Sequence, residues 1–115
     1  VDIKENWLSI MEKKIFLCRK TDVPNDGVIQ VCPKEVDDGL AVYNVDGQIY
    51  VTEDMCTHGM VALSGGDLQG TTIYCPLHGG AFDICSGKAV EKPCTAPLKT
   101  YRVVEEGDEI FGLIE

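Results

Sequence analysis

Two histidines occur in the 115-residue chain, and each closely follows a cysteine. Cys56-Thr57-His58 and Cys75-Pro76-Leu77-His78 together make the pattern C-x-H-x16-C-x-x-H. One thiolate and one imidazole from each segment form a donor set suited to zinc, or to iron bridged by inorganic sulfide. The remaining cysteines, Cys18, Cys32, Cys85 and Cys94, have no neighbour at ligand spacing and are expected to be buried or partly buried free thiols. No C-x-x-C occurs, which argues against thioredoxin-type redox chemistry and against close all-cysteine cluster groupings. Gly65-Gly66 is followed by neither a GKS triplet nor a helical pattern, so no phosphate loop is present.

Two convergent metal-binding segments need a rigid frame. From Ile15 onward, short runs rich in Ile, Val, Tyr and Phe alternate with Gly, Pro, Asn and Asp, the punctuation of an all-β domain. Ile15 to Arg19 leads through Val23-Pro24-Asn25-Asp26-Gly27 into Val28 to Val31. Leu40 to Val45 and Gln48 to Thr52 flank Asp46-Gly47, the pair preferred by a type I′ hairpin turn because both positions need positive φ. Thr100 to Val104 and Glu109 to Ile114 form a second hairpin around Glu105 to Asp108. Between them, a glycine-rich stretch over about 53–97 carries short strands at Thr71 to Tyr74 and Gly80 to Asp83. Its Cys-x-His and Cys-x-x-His segments follow strand ends, so two loops of neighbouring hairpins can present their donors to one site. Residues 1–14 read as an N-terminal extension, in which Trp7, Leu8 and Met11 share a short helical face or pack as a tail. Residues 15–115 read as a single domain, with 53–97 as its metal-binding part.

Composition narrows the function. At 44% hydrophobic and 25% charged, the chain has the proportions of an ordinary globular domain. A net charge of -9 repels nucleic-acid phosphates and anionic lipid headgroups, and favours docking on basic protein surfaces. No apolar run is longer than Ile15 to Cys18, which is far too short to span a bilayer, and no leader pattern opens the sequence. The expectation is a cytoplasmic protein with no nucleic-acid or membrane partner, in a reducing compartment.

The metal-binding segments and their surroundings resemble the Rieske iron–sulfur proteins, most closely the small Rieske ferredoxins of bacterial aromatic-ring-hydroxylating dioxygenases. The resemblance runs over Cys56-Thr57-His58-Gly59, then Cys75-Pro76-Leu77-His78-Gly79-Gly80-Ala81-Phe82-Asp83, Ser86-Gly87-Lys88-Ala89 and Pro93-Cys94-Thr95-Ala96-Pro97-Leu98. It implies the all-β Rieske-type fold, with small antiparallel sheets, two ligand loops and a covering proline loop at Pro93 to Pro97. It also implies one 2Fe-2S cluster, held by Cys56 and Cys75 on an inner iron and by His58 and His78 on an outer iron. Gly59, Gly79 and Gly80 are expected to let backbone N–H groups approach the sulfurs. Asp83 is expected to fix a turn toward Ser86-Gly87.

High-potential members of the family carry an extra cysteine in each ligand loop and hydroxyl donors to cluster or ligand sulfur. Here the matching positions are Val61, Leu77, Gly80 and Phe82, so the resemblance implies a potential near the low end of the Rieske range of about -150 to +300 mV. Both histidines being engaged, no donors remain for an oxygen-activating mononuclear iron of the two-His, one-carboxylate kind. The expected function is therefore a one-electron carrier and not an enzyme, taking electrons from a ferredoxin reductase to a terminal oxygenase. Docking is expected at the His58/His78 tip, rimmed by Met60, Val61, Leu77 and Pro97. Two rival readings use the same residues: a structural zinc module that binds a partner protein, and a Rieske-like small subunit of another oxidoreductase such as nitrite reductase.

Overall fold

The computed structural model describes residues 12–57, 61–77 and 79–115. Trp7, Leu8 and Met11 lie outside them, as do Gly59 and Met60. The all-β expectation holds: eleven strands form three antiparallel sheets among the described residues, joined by turns and two short 3-10 segments.

The central sheet runs β2 (Gly27–Val31), β3 (Leu40–Val45), β4 (Gln48–Glu53) and β9 (Thr100–Tyr101), in that order. Side chains alternate across a strand, so a strand with cores on both faces must be apolar on both. β3 is such a strand, and Leu40 through Asn44 are all buried. Leu40 and Val42 join one core with Ile49, Val51, Ile110 and Ile114. Ala41 and Tyr43 join the other with Ile73, Phe82, Ile84, Cys56, Cys75 and Cys94. Each large apolar side chain so buried contributes about 1.5–3 kcal/mol, and the sheet acts as a partition between the two cores. The Tyr43 hydroxyl stays in the interior by pairing with Thr52 Oγ1 at 2.8 Å. Burial pushes its phenol well above the ordinary tyrosine range.

The hairpin at Asp46-Gly47 has the positive φ angles a type I′ turn demands, 52° and 86°. The side-chain oxygen of Asn44 accepts the Gly47 N–H at 2.9 Å.

The second sheet is ordered β1 (Lys13–Arg19), β11 (Glu109–Ile114), β10 (Val103–Glu106). β1 begins two residues before the expected start at Ile15, and its register slips at Leu17. That side chain comes within 3.1 Å of the point a Cβ on Gly112 would occupy, so glycine makes room for the bulge. The expected single strand from Thr100 to Val104 is interrupted at Arg102. Thr100 and Tyr101 pair with Thr52 and Val51, whereas Val103 to Glu106 pair with β11. One local pattern thus feeds two sheets, because β10 takes its hairpin neighbour β11 while β9 takes a partner about fifty residues back, β4.

The third sheet leads into the Cys75 segment, whereas the Cys56 segment follows β4 of the central sheet. The order of the third sheet is β5 (Asp67–Gln69), β6 (Thr72–Tyr74), β7 (Ala81–Asp83), β8 (Ala89–Glu91). β6 and β7 are each one residue shorter than expected. β5 and β8, three residues apiece, are too short to show periodicity. Asp83 fixes the β7–β8 turn as expected: its carboxylate accepts from the Ser86 hydroxyl at 2.8 Å and from the Cys85 N–H at 3.3 Å. The Ser86 hydroxyl is the larger cause of a carboxyl held below its ordinary range. Among the described residues, no helix is long and apolar enough to cross a membrane.

Candidate metal centre

Cys56 and Cys75 leave different sheets yet sit in loops of the same construction. The chain runs from β4 through an isolated bridge between Met55 and Ala62, and the Cys56 N–H donates to the Val61 carbonyl at 2.9 Å. From β6, the Cys75 N–H donates to the Gly80 carbonyl at 2.7 Å. In each case an N–H at position i meets a carbonyl at i+5, pinching off four residues, 57–60 and 76–79. The sequence positions of His58 and His78 fall within these intervals and lie outside the described residues. Both cysteine side chains are buried, 2% and 3% exposed, whereas Thr57, Pro76, Leu77 and Gly79 beside them are exposed.

The first loop is held from beneath by a buried carboxylate. Asp54 is fully buried, and its Oδ1 accepts the Ser64 N–H at 2.7 Å. Its Oδ2 accepts from the Ser64 hydroxyl at 2.9 Å and from Gln30 Nε2 at 2.6 Å. Its backbone carbonyl takes the Leu63 N–H at 2.7 Å, and its N–H reaches the Gly39 carbonyl at 3.2 Å. A buried carboxylate is tolerable only when so satisfied, and here it ties both ends of the ligand loop to β2.

The third loop closes over the other two. The Thr57 hydroxyl donates to the Ala96 carbonyl at 2.8 Å, joining the first loop to the third. Cys94, only 3% exposed, places its Sγ 3.8 Å from Cys56 Sγ. A Cβ on Gly80 would stand 2.3 Å from that same sulfur. Burial first, then contact with Cys56 and the charges of Cys56 and Cys75, push the Cys94 thiol up to about 12. Gly87 admits the end of this loop: the Leu98 N–H reaches its carbonyl at 2.7 Å, and a Cβ there would meet the Leu98 carbonyl oxygen at 2.2 Å.

Comparison with known proteins decides what this arrangement is. A model of the Rieske [2Fe-2S] domain matches residues 13–102. The chain belongs to the Rieske [2Fe-2S] domain family. Its cofactor is one Rieske-type 2Fe-2S cluster. Ferredoxin CarAc of Metapseudomonas resinovorans is 54% identical over 70 residues, spanning 60% of this chain and 65% of that protein. The ferredoxin component of the naphthalene 1,2-dioxygenase system of Pseudomonas aeruginosa is 41% identical over 100 residues, 87% of this chain and 94% of that one. Among solved structures, a complex of reduced oxygenase and oxidized ferredoxin in carbazole 1,9a-dioxygenase contains a chain with TM-score 0.83 and 39% identity, covering 89% of this chain and 94% of that chain.

The described part of this Rieske domain fits the cluster. Its two buried thiols share one core and sit on matched loops whose ends are pinned, as soft sulfur donors to iron require. Among the described residues, no three His, Cys, Asp or Glu side chains converge as a further metal site. One expectation needs correcting. Cys32 and Cys85 are exposed, because they lie on a loop after β2 and in the β7–β8 turn; Cys18 and Cys94 are buried. At Gly80 the space of a side chain is taken by the Cys94 sulfur and, at 3.1 Å, by the Cys94 main-chain nitrogen. Asp54 and its clamp, and the contact of Cys94 with Cys56, had no sequence signal, since every partner is remote along the chain.

Proposed function

We propose that this Rieske domain is a soluble, cytoplasmic one-electron carrier that takes electrons from a ferredoxin reductase to a terminal ring-hydroxylating oxygenase, and is not itself a catalyst. Cys56, His58, Cys75 and His78 hold the cluster, which supplies a single site for reversible one-electron storage. Residues 15–115 act as one domain, with about 53–97 as its cluster-binding part. The observation that supports this reading most is the matched N–H to carbonyl closure of two cysteine loops over buried thiols, in a chain of this family. Relatives named as ferredoxin components of dioxygenase systems, and the ferredoxin in the carbazole 1,9a-dioxygenase complex, support the carrier role and an oxygenase partner.

The tip fits a docking face. Leu77 is 63% exposed, and Thr57, Pro76, Gly79, Thr95, Ala96 and Pro97 of the three loops are exposed and uncharged. An uncharged, partly apolar patch supplies contact on desolvation, while the acidic remainder of the surface orients the approach to a basic partner. The potential lies near the low end of the Rieske range, since Val61, Leu77, Gly80 and Phe82 offer neither a disulfide nor hydroxyl donors.

Iron and acid-labile sulfide analysis with electron paramagnetic resonance tests the assignment. The purified protein should contain two irons and two sulfides per chain, as a 2Fe-2S cluster requires, and give the rhombic signal of a reduced Rieske centre. A colourless protein with a single zinc would overturn it. His78→Ala should abolish the cluster and destabilise both loops; unchanged iron content in that variant would contradict the ligand assignment. Electron delivery to a ring-hydroxylating oxygenase should slow as salt rises, and Leu77→Ala should weaken the complex without changing that salt dependence.

A further inference from the structure

A cluster-ligating thiolate gains electron density when the cluster is reduced, so any proton donated to it stabilises the reduced form more than the oxidised one. The main-chain N–H groups of Cys56 and Cys75 are already engaged by the Val61 and Gly80 carbonyls. Neither is free to serve its own sulfur. Hydroxyl donors are also lacking where Gly80 and Phe82 stand.

Cys94 approaches one of these sulfurs directly. Its sulfur is 3.8 Å from Cys56 Sγ, within the range of a hydrogen bond between sulfurs. Once Cys56 is bound to iron as a thiolate, only Cys94 of this pair has a proton to give. The thiol is also held in place from the other side. The same sulfur fills the space of the side chain that Gly80 lacks, 2.3 Å from where its Cβ would be. Cys94 therefore touches both ligand loops at once, and glycine at position 80 is the condition for its doing so.

We propose that Cys94 is a potential-tuning residue, whose S–H donates to the ligand sulfur of Cys56 and holds the reduction potential above the value the four ligands alone would set. The proposal rests on the reading of Cys56 as a cluster ligand. It deepens that reading by assigning the covering loop a part in the electronics of the site as well as in shielding it.

The test uses the full-length protein with its cluster. In the parent, the reduced-minus-oxidised infrared difference spectrum should contain an S–H stretching band that moves to lower frequency on reduction and shifts again in D2O. Cys94→Ser should abolish that band yet keep a donor, leaving the midpoint potential at or above that of the parent. Cys94→Ala and Cys94→Val should lower the midpoint while retaining iron and sulfide. A parent difference spectrum without any S–H band would overturn the proposal even if every variant failed to fold. So would Cys94→Ala or Cys94→Val with a full cluster and the parental midpoint. A parent lacking iron and sulfide would instead overturn the cluster assignment itself, which separates the two failures.

Discussion

Gly80→Ser tests how tightly the three loops are packed, and its outcome differs from what the sequence alone suggests. Read from the family resemblance, a serine at this position should donate to sulfur and raise the potential. In the structure the new Cβ would stand 2.3 Å from Cys94 Sγ, 3.1 Å from the Cys94 N and 3.2 Å from its Cβ. Carbon atoms prefer to be about 3.5–4.0 Å apart, so the sulfur contact is more than 1 Å too close. Forcing a group into such a place costs about 1–3 kcal/mol, which for a chain of this size lowers the melting temperature by about 4–12 °C. Most of that cost belongs to one atom. In a Cys94→Ala background the sulfur is gone and the two residual contacts sit at the edge of normal packing, so the penalty of Gly80→Ser should fall by more than half. Thermal unfolding of the four proteins of this double-mutant cycle, followed by circular dichroism and by loss of visible absorbance, measures the coupling. Equal penalties in both backgrounds would refute the packing argument. The hydroxyl's effect on the potential should emerge only in the Cys94→Ala background, where the serine raises the midpoint.

Three further outcomes follow from other contacts. Asp54→Ala strips the acceptor from Gln30 Nε2, the Ser64 N–H and the Ser64 hydroxyl at once. It should cost about 3 kcal/mol or more in urea unfolding, with a loosened hold on iron; a loss under about 1 kcal/mol would show the clamp to be dispensable. Phe82→Tyr adds a hydroxyl to a fully buried ring in the core that holds Cys56 and Cys75. Redox titration should find the midpoint raised, and a lowered or unmoved value with intact iron would count against that orientation. Asp83 titrates below its ordinary 3.8, chiefly through the Ser86 hydroxyl. It thus contributes stability that is present above pH of about 3.8 and lost as pH falls through the depressed folded value. Ser86→Ala should move the Asp83 midpoint back upward in a carboxyl NMR titration, and an unmoved midpoint would deny the serine that role.

What could be read from the sequence was whatever acts over a few residues. Asp46-Gly47 announces its turn because the φ requirement is met by those two residue types alone. Leu40 to Val45 reads as a strand for its apolar run, which the cores on both its faces explain. The four proposed ligand positions stand out through their short internal spacings. Signals fade where partners are remote. Cys94 lies 38 positions from Cys56, so spacing left it among the spare thiols. Asp54 looks like any acidic residue at a strand end until Gln30, 24 positions away, is brought to it. The break at Arg102 is invisible for the same reason: Val103 keeps its hairpin partner β11, whereas Tyr101 meets Val51, far back in the chain.

In the proposed carrier the placement of charge separates two tasks that two partners would impose. The exposed described residues of 57–60, 76–79 and 93–97 are uncharged, and Asp54 beside the first of these loops is buried and hydrogen-bonded. Acidic side chains such as Glu105, Glu106 and Glu109 lie exposed on β10 and β11. Charges there act across solvent, where screening over about 8–10 Å at ordinary salt leaves them able to orient an approaching surface but not to hold it. In the proposed complex, contact would rest on exposed Leu77 and the uncharged loop residues, which release water without stranding an ion. A complex built this way would form quickly and lack the buried ion pairs that slow dissociation, which is what the proposed carrier would require if it met reductase and oxygenase through one face.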